Sequence, residues 1–360
     1  MYRSGLKDLE IHYTYKSRWY FERAEKILTA LVDSYLSLHG PKRFLRGLSS
    51  PIFFDALSVA SFLDELEGGA TTIMATIFKN IIKPEIGLAV VGGKRIEGYR
   101  VPAELDIIGR EFSFSSEKLE ELKYASRMVA KVDNVAIQDG FPLYFHLMVV
   151  SNDGEWTIIQ QGIKVLEGLV RRYHWTSIKL KSFVEEPHTG IISAHREKIV
   201  IDMTSMKSED ARKICVELVT HDFKKLRRLH ENFSKGIQLR LTDLEEPHRN
   251  IQLEIPSIKW VYLQSLSKKQ PRDFEELLSH RGVGMQTLRF LVFACIQLYQ
   301  VYPSFEDPAL SFEEAYRLAE TLDDKWIYEV MDALKESSLE MFLKKVSYNR
   351  LYNLLYNIES

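Results

Sequence analysis

Two cysteines in 360 residues are too few for a disulfide framework or a zinc-finger spacing. Both, Cys215 and Cys295, sit inside apolar helical patterns that suit buried core thiols. The chain has no apolar run approaching the ~20 residues that a membrane span requires, and its opening stretch, Met1-Tyr2-Arg3-Ser4-Gly5-Leu6-Lys7-Asp8, lacks the apolar centre of a secretion signal. A cytoplasmic location without a membrane partner is therefore expected. Net charge is scarce too, at −2, so affinity for nucleic acid has to come from local patches and not from the total. Biased tracts are missing, and 45% hydrophobic with 27% charged residues suits a packed core. The length exceeds one average domain and favours two packed units.

What is present is mostly helical pattern. Residues 18–46 carry apolar positions at helical spacing, with Gly40-Pro41 ending the first of two helices, and a third helix is expected at 51–66. Gly68-Gly69-Ala70-Thr71-Thr72 opens another apolar helix. Glycines before a hydroxyl pair can seat an anion on free helical N–H groups, but the lysine of a phosphate-binding loop is missing and an ordinary N-cap is the preferred reading. Ile86 to Val91 reads as a buried strand, 116–130 as a helix. Phe141 to Val150 and Glu155 to Ile163, joined by Ser151-Asn152-Asp153-Gly154, form the clearest β-hairpin signal, because the turn places residues tolerant of positive φ between aromatic and β-branched runs. Helices are expected at 165–172, 208–234 and throughout 310–357, with extended pieces near 190–203 and 251–262. Glu185-Glu186-Pro187-His188 recurs as Glu245-Glu246-Pro247-His248, yet the flanks do not match and no tandem repeat is implied.

Together these predict a mainly helical α+β protein. Residues 1–204 form an α+β domain around a small central sheet built on the hairpin, and 205–360 a helical domain. Two features of the second half bear on partners. Lys224, Lys225, Arg227 and Arg228 place four cations within two helical turns, whereas residues 305–340 hold eleven acids against three bases. Residues 273–299 match a helix-hairpin-helix: Asp273-Phe274-Glu275-Glu276-Leu277-Leu278-Ser279-His280, then Arg281-Gly282-Val283-Gly284, then Met285-Gln286-Thr287-Leu288-Arg289. Two glycines allow a tight turn and close approach, and Val283 pins the turn between the helices. The first N–H groups of the second helix can then hold a phosphate. Arg281, Gln286, Thr287 and Arg289 are placed to assist. Such contacts position a protein on DNA without reading sequence. The alternative is a turn that serves packing alone.

The chain resembles the domain-of-unknown-function family 763. The resemblance is carried by Arg3-Ser4-Gly5, Trp19 with Phe21-Glu22-Arg23, Thr71-Thr72, Gly92-Gly93-Lys94, and Tyr124-Ala125-Ser126-Arg127-Met128-Val129-Ala130-Lys131-Val132-Asp133. It continues through Gln138-Asp139-Gly140, Gln160-Gln161-Gly162, Arg171-Arg172-Tyr173-His174-Trp175, Glu185-Glu186-Pro187-His188 and, after the helix pair, Pro303-Ser304-Phe305-Glu306-Asp307-Pro308. The resemblance implies helix-hairpin-helix DNA binding and DNA processing. Glu65-Leu66-Glu67-Gly68-Gly69 departs from the His-Ser-Ser-Gly that similar proteins carry, which marks a divergent member.

Chemistry is expected in the central block. Asp133 and Asp139 are the candidate carboxylate ligands for Mg²⁺ or Mn²⁺, since hard cations prefer oxygen donors and can activate water against a phosphodiester. Lys131 would face the scissile phosphate, with His146, Gln161 or His174 orienting water or substrate. The reading is a metal-dependent deoxyribonuclease in DNA repair or processing. Two alternatives stand beside it. One is a lysine-dependent glycosylase or lyase using Lys131, with Asp307 as the acidic counterpart. The other is a non-catalytic accessory DNA-binding protein.

Overall fold

The computed structural model describes residues 18–65, 69–234, 258–322 and 324–359. The first helix, α1 (Arg18–Leu48), contains Gly40 at φ 78° and ψ 167° just before Pro41, so it is two helical arms joined at a bend. Proline lacks the N–H that would continue the helix, and glycine tolerates the left-handed φ. α2 (Pro51–Ala60) opens on proline at its first turn and is buried along its whole length. It stops short of the expected residue 66 because Ser61 bonds back to Leu57 and Phe62 takes a positive φ. Gly69 stands at the N-cap of α3 (Ala70–Ile81) without a side-chain cap; Gly68 lies outside the described residues.

β1 (Leu88–Lys94), α4 (Ile96–Tyr99), α5 (Val101–Glu111) and α6 (Ser116–Lys131) follow. The Ser115 hydroxyl caps α6 by accepting from the Lys118 N–H. α6 ends in a π turn, Val132–Ala136, that leads into β2 (Ile137–Gln138). The hairpin is β3 (Leu143–Ser151) and β4 (Trp156–Lys164), in register from Val150 opposite Trp156 outward.

The helix expected at 165–172 does not form. Residues 165–168 turn and β5 (Leu169–Thr176) runs back along β4. Its charged residues, Arg171 and Arg172, find carboxylates on opposite faces of the sheet, so a segment that looks amphipathic at helical spacing is a strand buried on both sides. β6 (Gly190–Ser193) and β7 (Ile201–Asp202) complete the strands. The larger sheet has the antiparallel order β1-β3-β4-β5-β6, while β2 pairs with β7.

The remaining helices are α7 (Glu209–Thr220), α8 (Phe223–Ser234), α9 (Trp260–Lys269), α10 (Phe274–Ser279), α11 (Met285–Tyr299), α12 (Phe312–Thr321), α13 (Trp326–Glu336) and α14 (Met341–Glu359). The tail is thus three helices with breaks and not one continuous run. Of the extended piece expected at 251–262, residues 251–257 lie outside the described residues and α9 begins at Trp260. The second Glu-Glu-Pro-His also lies outside them. No described helix is long and apolar enough to cross a membrane.

Alternation along the strands builds two cores. Ala89, Val91, Met148, Val150, Ile158, Tyr173 and Trp175 face one, shared with α5–α7 and with α9–α11. Leu88, Phe145, Leu147, Val149, Ile159 and Ile192 face the other, shared with α1–α3 and α12–α14. One face of the sheet is therefore covered by helices from the middle of the chain, and the other by helices from both of its ends. The expected division at 204/205 is not the line along which the cores separate: one core joins the sheet to 209–296, the other joins the first helices to the last.

Candidate functional site

The turn between β3 and β4 sets which polar residues meet. His146 and Gln160 are directly opposite, each seven residues from Asp153, and both face the first core. His146 Nδ1 lies 3.0 Å from Gln160 Oε1, and His146 Nε2 lies 2.9 Å from the Ser126 hydroxyl on α6. Gln160 Nε2 donates to Asp133 Oδ2 at 2.6 Å. Asp133 sits in the π turn, where the widened backbone turns its carboxylate into the interior. It also accepts from the Trp175 indole at 3.0 Å and pairs with His188 Nε2 at 2.6 Å. The result is one buried polar line, Ser126–His146–Gln160–Asp133–His188. Its first three members line a pocket of about 400 Å³, and His188 lines a larger cleft of about 660 Å³ bordered by Glu185, Glu186 and Lys181.

Asp139 belongs to a separate cluster. Its Oδ2 accepts from Arg171 at 2.8 Å and from the Tyr173 hydroxyl at 2.6 Å, and its Oδ1 from the Phe141 N–H. Arg171 also donates to Asp307 at 2.6 Å, which in turn accepts from the Glu197 N–H. Arg171 is fully buried, and the two carboxylates are 2% and 3% exposed, so this is an interior Asp–Arg–Asp triad. Burial pushes the Asp139 carboxyl pKa up while the guanidinium pulls against it. On the opposite face Arg172 repeats the pattern: it pairs with Asp55 at 2.7 Å and donates to His174 Nε2 at 2.7 Å.

These placements correct several expectations. Asp133 and Asp139 are not brought together as a ligand pair, and every one of their oxygens already accepts from an N–H or O–H donor. A guanidinium beside Asp139 repels a cation further. The residues present do not fit Mg²⁺ or Mn²⁺, and no cluster of three or more His, Cys, Asp or Glu suited to a metal occurs among the described residues. Gln161 and His174 face away from His146, towards α1 and α2: Gln161 accepts from the Tyr144 hydroxyl, and His174 Nδ1 donates to the Leu48 carbonyl. Lys131 donates to the His280 carbonyl at 3.1 Å, at the turn after α10, and burial lowers its pKa. Its proposed counterpart Asp307 is held by Arg171, so the lyase pairing does not assemble either.

His146 and His174 are both buried, and desolvation lowers both pKa values, that of His174 well below the ordinary value with the Arg172 charge adding to it. The unfolded chain thus binds protons that the folded chain refuses, and stability falls as pH drops through the unfolded-state value of about 6.5. Urea unfolding should show stability falling between pH 6.5 and 5.5, by up to about 1 kcal/mol for a histidine that stays neutral in the fold over that range, with His174 contributing the larger part. A flat profile in that range would mean that neither is held neutral.

The other candidates lie around α10 and α11. Five residues, 280–284, join the helices. The Gly282 N–H donates to His280 Nδ1, Val283 is buried, and the Thr287 hydroxyl bonds the Gly282 carbonyl. A Cβ on Gly282 would stand 2.5 Å from the Tyr262 Cβ, whereas Gly284 has nothing within 4 Å. Gly284 is the N-cap of α11 and supplies no side-chain cap. Arg281 and Gln286 are exposed, while Arg289 is half-buried and donates to Gln138 at 2.8 Å. Gln138 in turn donates to the Met285 carbonyl. Lys131, Gln138 and Arg289 therefore fasten the helix pair to the end of α6.

The basic helix α8 lies against α11, with His230 beside Phe290 and Lys225 Nζ 3.3 Å from the Tyr299 hydroxyl. Lys225 and Arg227 are paired with Asp222 and Glu231. Lys224 and Arg228, one turn apart, are exposed and have no ionic partner among the described residues.

The signals that were missed differ in kind. Gln160, and not Gln161, is legible from the hairpin register, which sets it opposite His146. Ser126, Trp175, Arg171 and His188 come from other elements, and only tertiary packing brings them in.

The chain is thus a mainly helical α+β protein in which an antiparallel sheet is held between helical layers and buried polar networks lie on both of its faces. It matches over residues 5–319 the family described as a protein of unknown function, DUF763. The chain belongs to that family. No curated protein and no solved structure matches it.

Proposed function

We propose that α10 and α11 form a helix-hairpin-helix that seats a backbone phosphate of DNA on the first N–H groups of α11, and that the protein is an accessory DNA-binding protein that recognises no particular sequence. The open N-cap at Gly284 carries this reading. The helix it starts is 15 residues long, its N-cap supplies no capping side chain, and a Cβ placed on Gly284 would meet no atom within 4 Å. A helix pair used only for packing has no need of an uncapped, accessible helix start. Arg281 and Gln286 flank it, and Lys224 and Arg228, which have no ionic partner among the described residues, lie on the helix packed along α11. The chain's near-zero total charge is compatible with this because the acids concentrate elsewhere, in 305–340.

Binding of this kind releases counterions, so affinity should fall linearly with salt on logarithmic axes. Lys224→Gln combined with Arg228→Gln should flatten that slope by about 2 and weaken all duplexes alike. Fluorescence anisotropy of a labelled duplex across a salt series reads both effects. An unchanged slope removes the basic helix from the interface, and no salt-dependent binding by the parent protein overturns the reading as a whole.

A further inference from the structure

The pocket beside α6 and β3 contains an arrangement that phosphate binding at α11 does not use. Its floor is Ser126, His146 and Gln160, its walls include Pro102, Ala130, Leu143 and Phe145, and Arg95, Arg127, Asn134 and Tyr99 stand exposed at its mouth. Arg95 and Arg127 have no ionic partner among the described residues.

The protons in the floor are dictated from behind. Asp133 is surrounded by donors, so the Gln160 amide must turn its NH₂ to it and leave Oε1 facing His146. An amide turned the other way would set two acceptors 2.6 Å apart. Oε1 can only accept, so His146 carries its proton on Nδ1, and Nε2 is a bare acceptor. The Ser126 hydroxyl then donates to Nε2 across 2.9 Å. A serine held against the unprotonated nitrogen of an imidazole, whose other nitrogen is oriented by a third group, is the arrangement by which a hydroxyl is made nucleophilic.

We infer that Ser126 is a nucleophile with His146 as its general base and Gln160, held by Asp133, as the positioning group, and that the pocket cleaves esters carrying a negative charge. The burial that keeps His146 neutral maintains the base in its working form. In the reaction, Ser126 Oγ forms a bond to the ester carbonyl carbon as its proton passes to Nε2. The carbonyl electron pair moves onto oxygen, for which the donor side chains lining the pocket are Arg95, Tyr99, Arg127 and Asn134. Collapse breaks the bond to the alcohol oxygen, which takes the proton from Nε2. Water then attacks the acyl-serine by the same route, releasing the acid and restoring the Ser126 hydroxyl. The charge preference follows from Arg95 and Arg127 at the mouth.

The full chain, treated with a biotinylated fluorophosphonate and digested, should give the adduct on the peptide containing Ser126, identified by mass spectrometry. His146→Asn should slow labelling by about 100-fold or more. Ser126→Ala, which suits a helix interior, should abolish labelling and also the hydrolysis of p-nitrophenyl hydrogen succinate. That anionic ester should be cleaved faster than p-nitrophenyl butyrate, and Arg95→Ala with Arg127→Ala should erase the difference. An unlabelled Ser126 in the parent protein, or equal hydrolysis by the parent and Ser126→Ala, overturns the nucleophile. Equal rates on the two esters in the parent protein overturn the anionic substrate. DNA binding is a separate readout that Ser126→Ala should not move.

Discussion

Gly284→Asp should weaken DNA binding by about tenfold or more while leaving the protein as stable as before or slightly more so. The backbone there is extended, with φ −100° and ψ −176°, which aspartate adopts readily, and a Cβ meets nothing within 4 Å. At an N-cap, an aspartate oxygen accepts from the N–H groups two or three residues on and is a better cap than glycine by a few tenths of a kcal/mol. Those are the donors that a phosphate would take, and the added charge repels it. Loss of one charge-assisted hydrogen bond is worth about 1.5–3 kcal/mol, which corresponds to the tenfold change or more in Kd.

Gly282→Ala is the informative contrast. Its Cβ would collide with Tyr262, so it should cost about 1–3 kcal/mol in unfolding free energy through overpacking, with any loss of binding following the loss of fold. The two glycines of one motif thus separate phosphate approach from packing. Should Gly284→Asp bind with unaltered affinity and salt dependence, the start of α11 does not touch the backbone.

The second large effect concerns stability. Arg171→Met should destabilise the protein by about 3–5 kcal/mol, the range for leaving buried charge without its partner. Removing the guanidinium leaves Asp139 and Asp307 in the interior, facing the same vacated space, with only Tyr173 and backbone N–H donors to hold them. Combining Arg171→Met with Asp139→Asn and Asp307→Asn should recover part of the loss, because the uncompensated charges go with their partner. Urea unfolding of the single and triple variants reads this directly. If Arg171→Met alone stays within about 1 kcal/mol of the parent, water or relaxation is compensating the charges and the triad is not a structural fastening. The same geometry changes what Asp139→Asn means: on the sequence it removes a metal ligand, and in the fold it weakens an interior ion pair.

The sequence carried a good deal of this through local physics. The Asn-Asp-Gly turn specified the hairpin, and its register alone pairs His146 with Gln160. Gly40-Pro41, Pro51 and Ser115 mark helix ends where they occur, because caps and breaks depend on a residue or two. The Gly-Val-Gly turn between α10 and α11 was equally legible. Residues 165–172 look helical on the sequence because alternation and helical spacing are hard to tell apart over eight residues, and buried arginines make the two-sided interior strand that begins at Leu169 look amphipathic.

What only the tertiary structure decided is which charges are neutralised and which are left free. Asp133, Asp139 and Lys131 look alike as functional candidates on the sequence. Their partners, Trp175 and His188, Arg171, and the His280 carbonyl, come from 42, 55, 32 and 149 residues away. Burial of a charge requires such partners, and no local pattern names them. The sequence by itself determined most of the helices, the hairpin and its register, and the turn that opens α11, since each depends on neighbours along the chain. The packing of helices onto both faces of one sheet determined the rest, by closing the carboxylates inside hydrogen-bonded networks and leaving Ser126 in the wall of a pocket and the start of α11 uncapped.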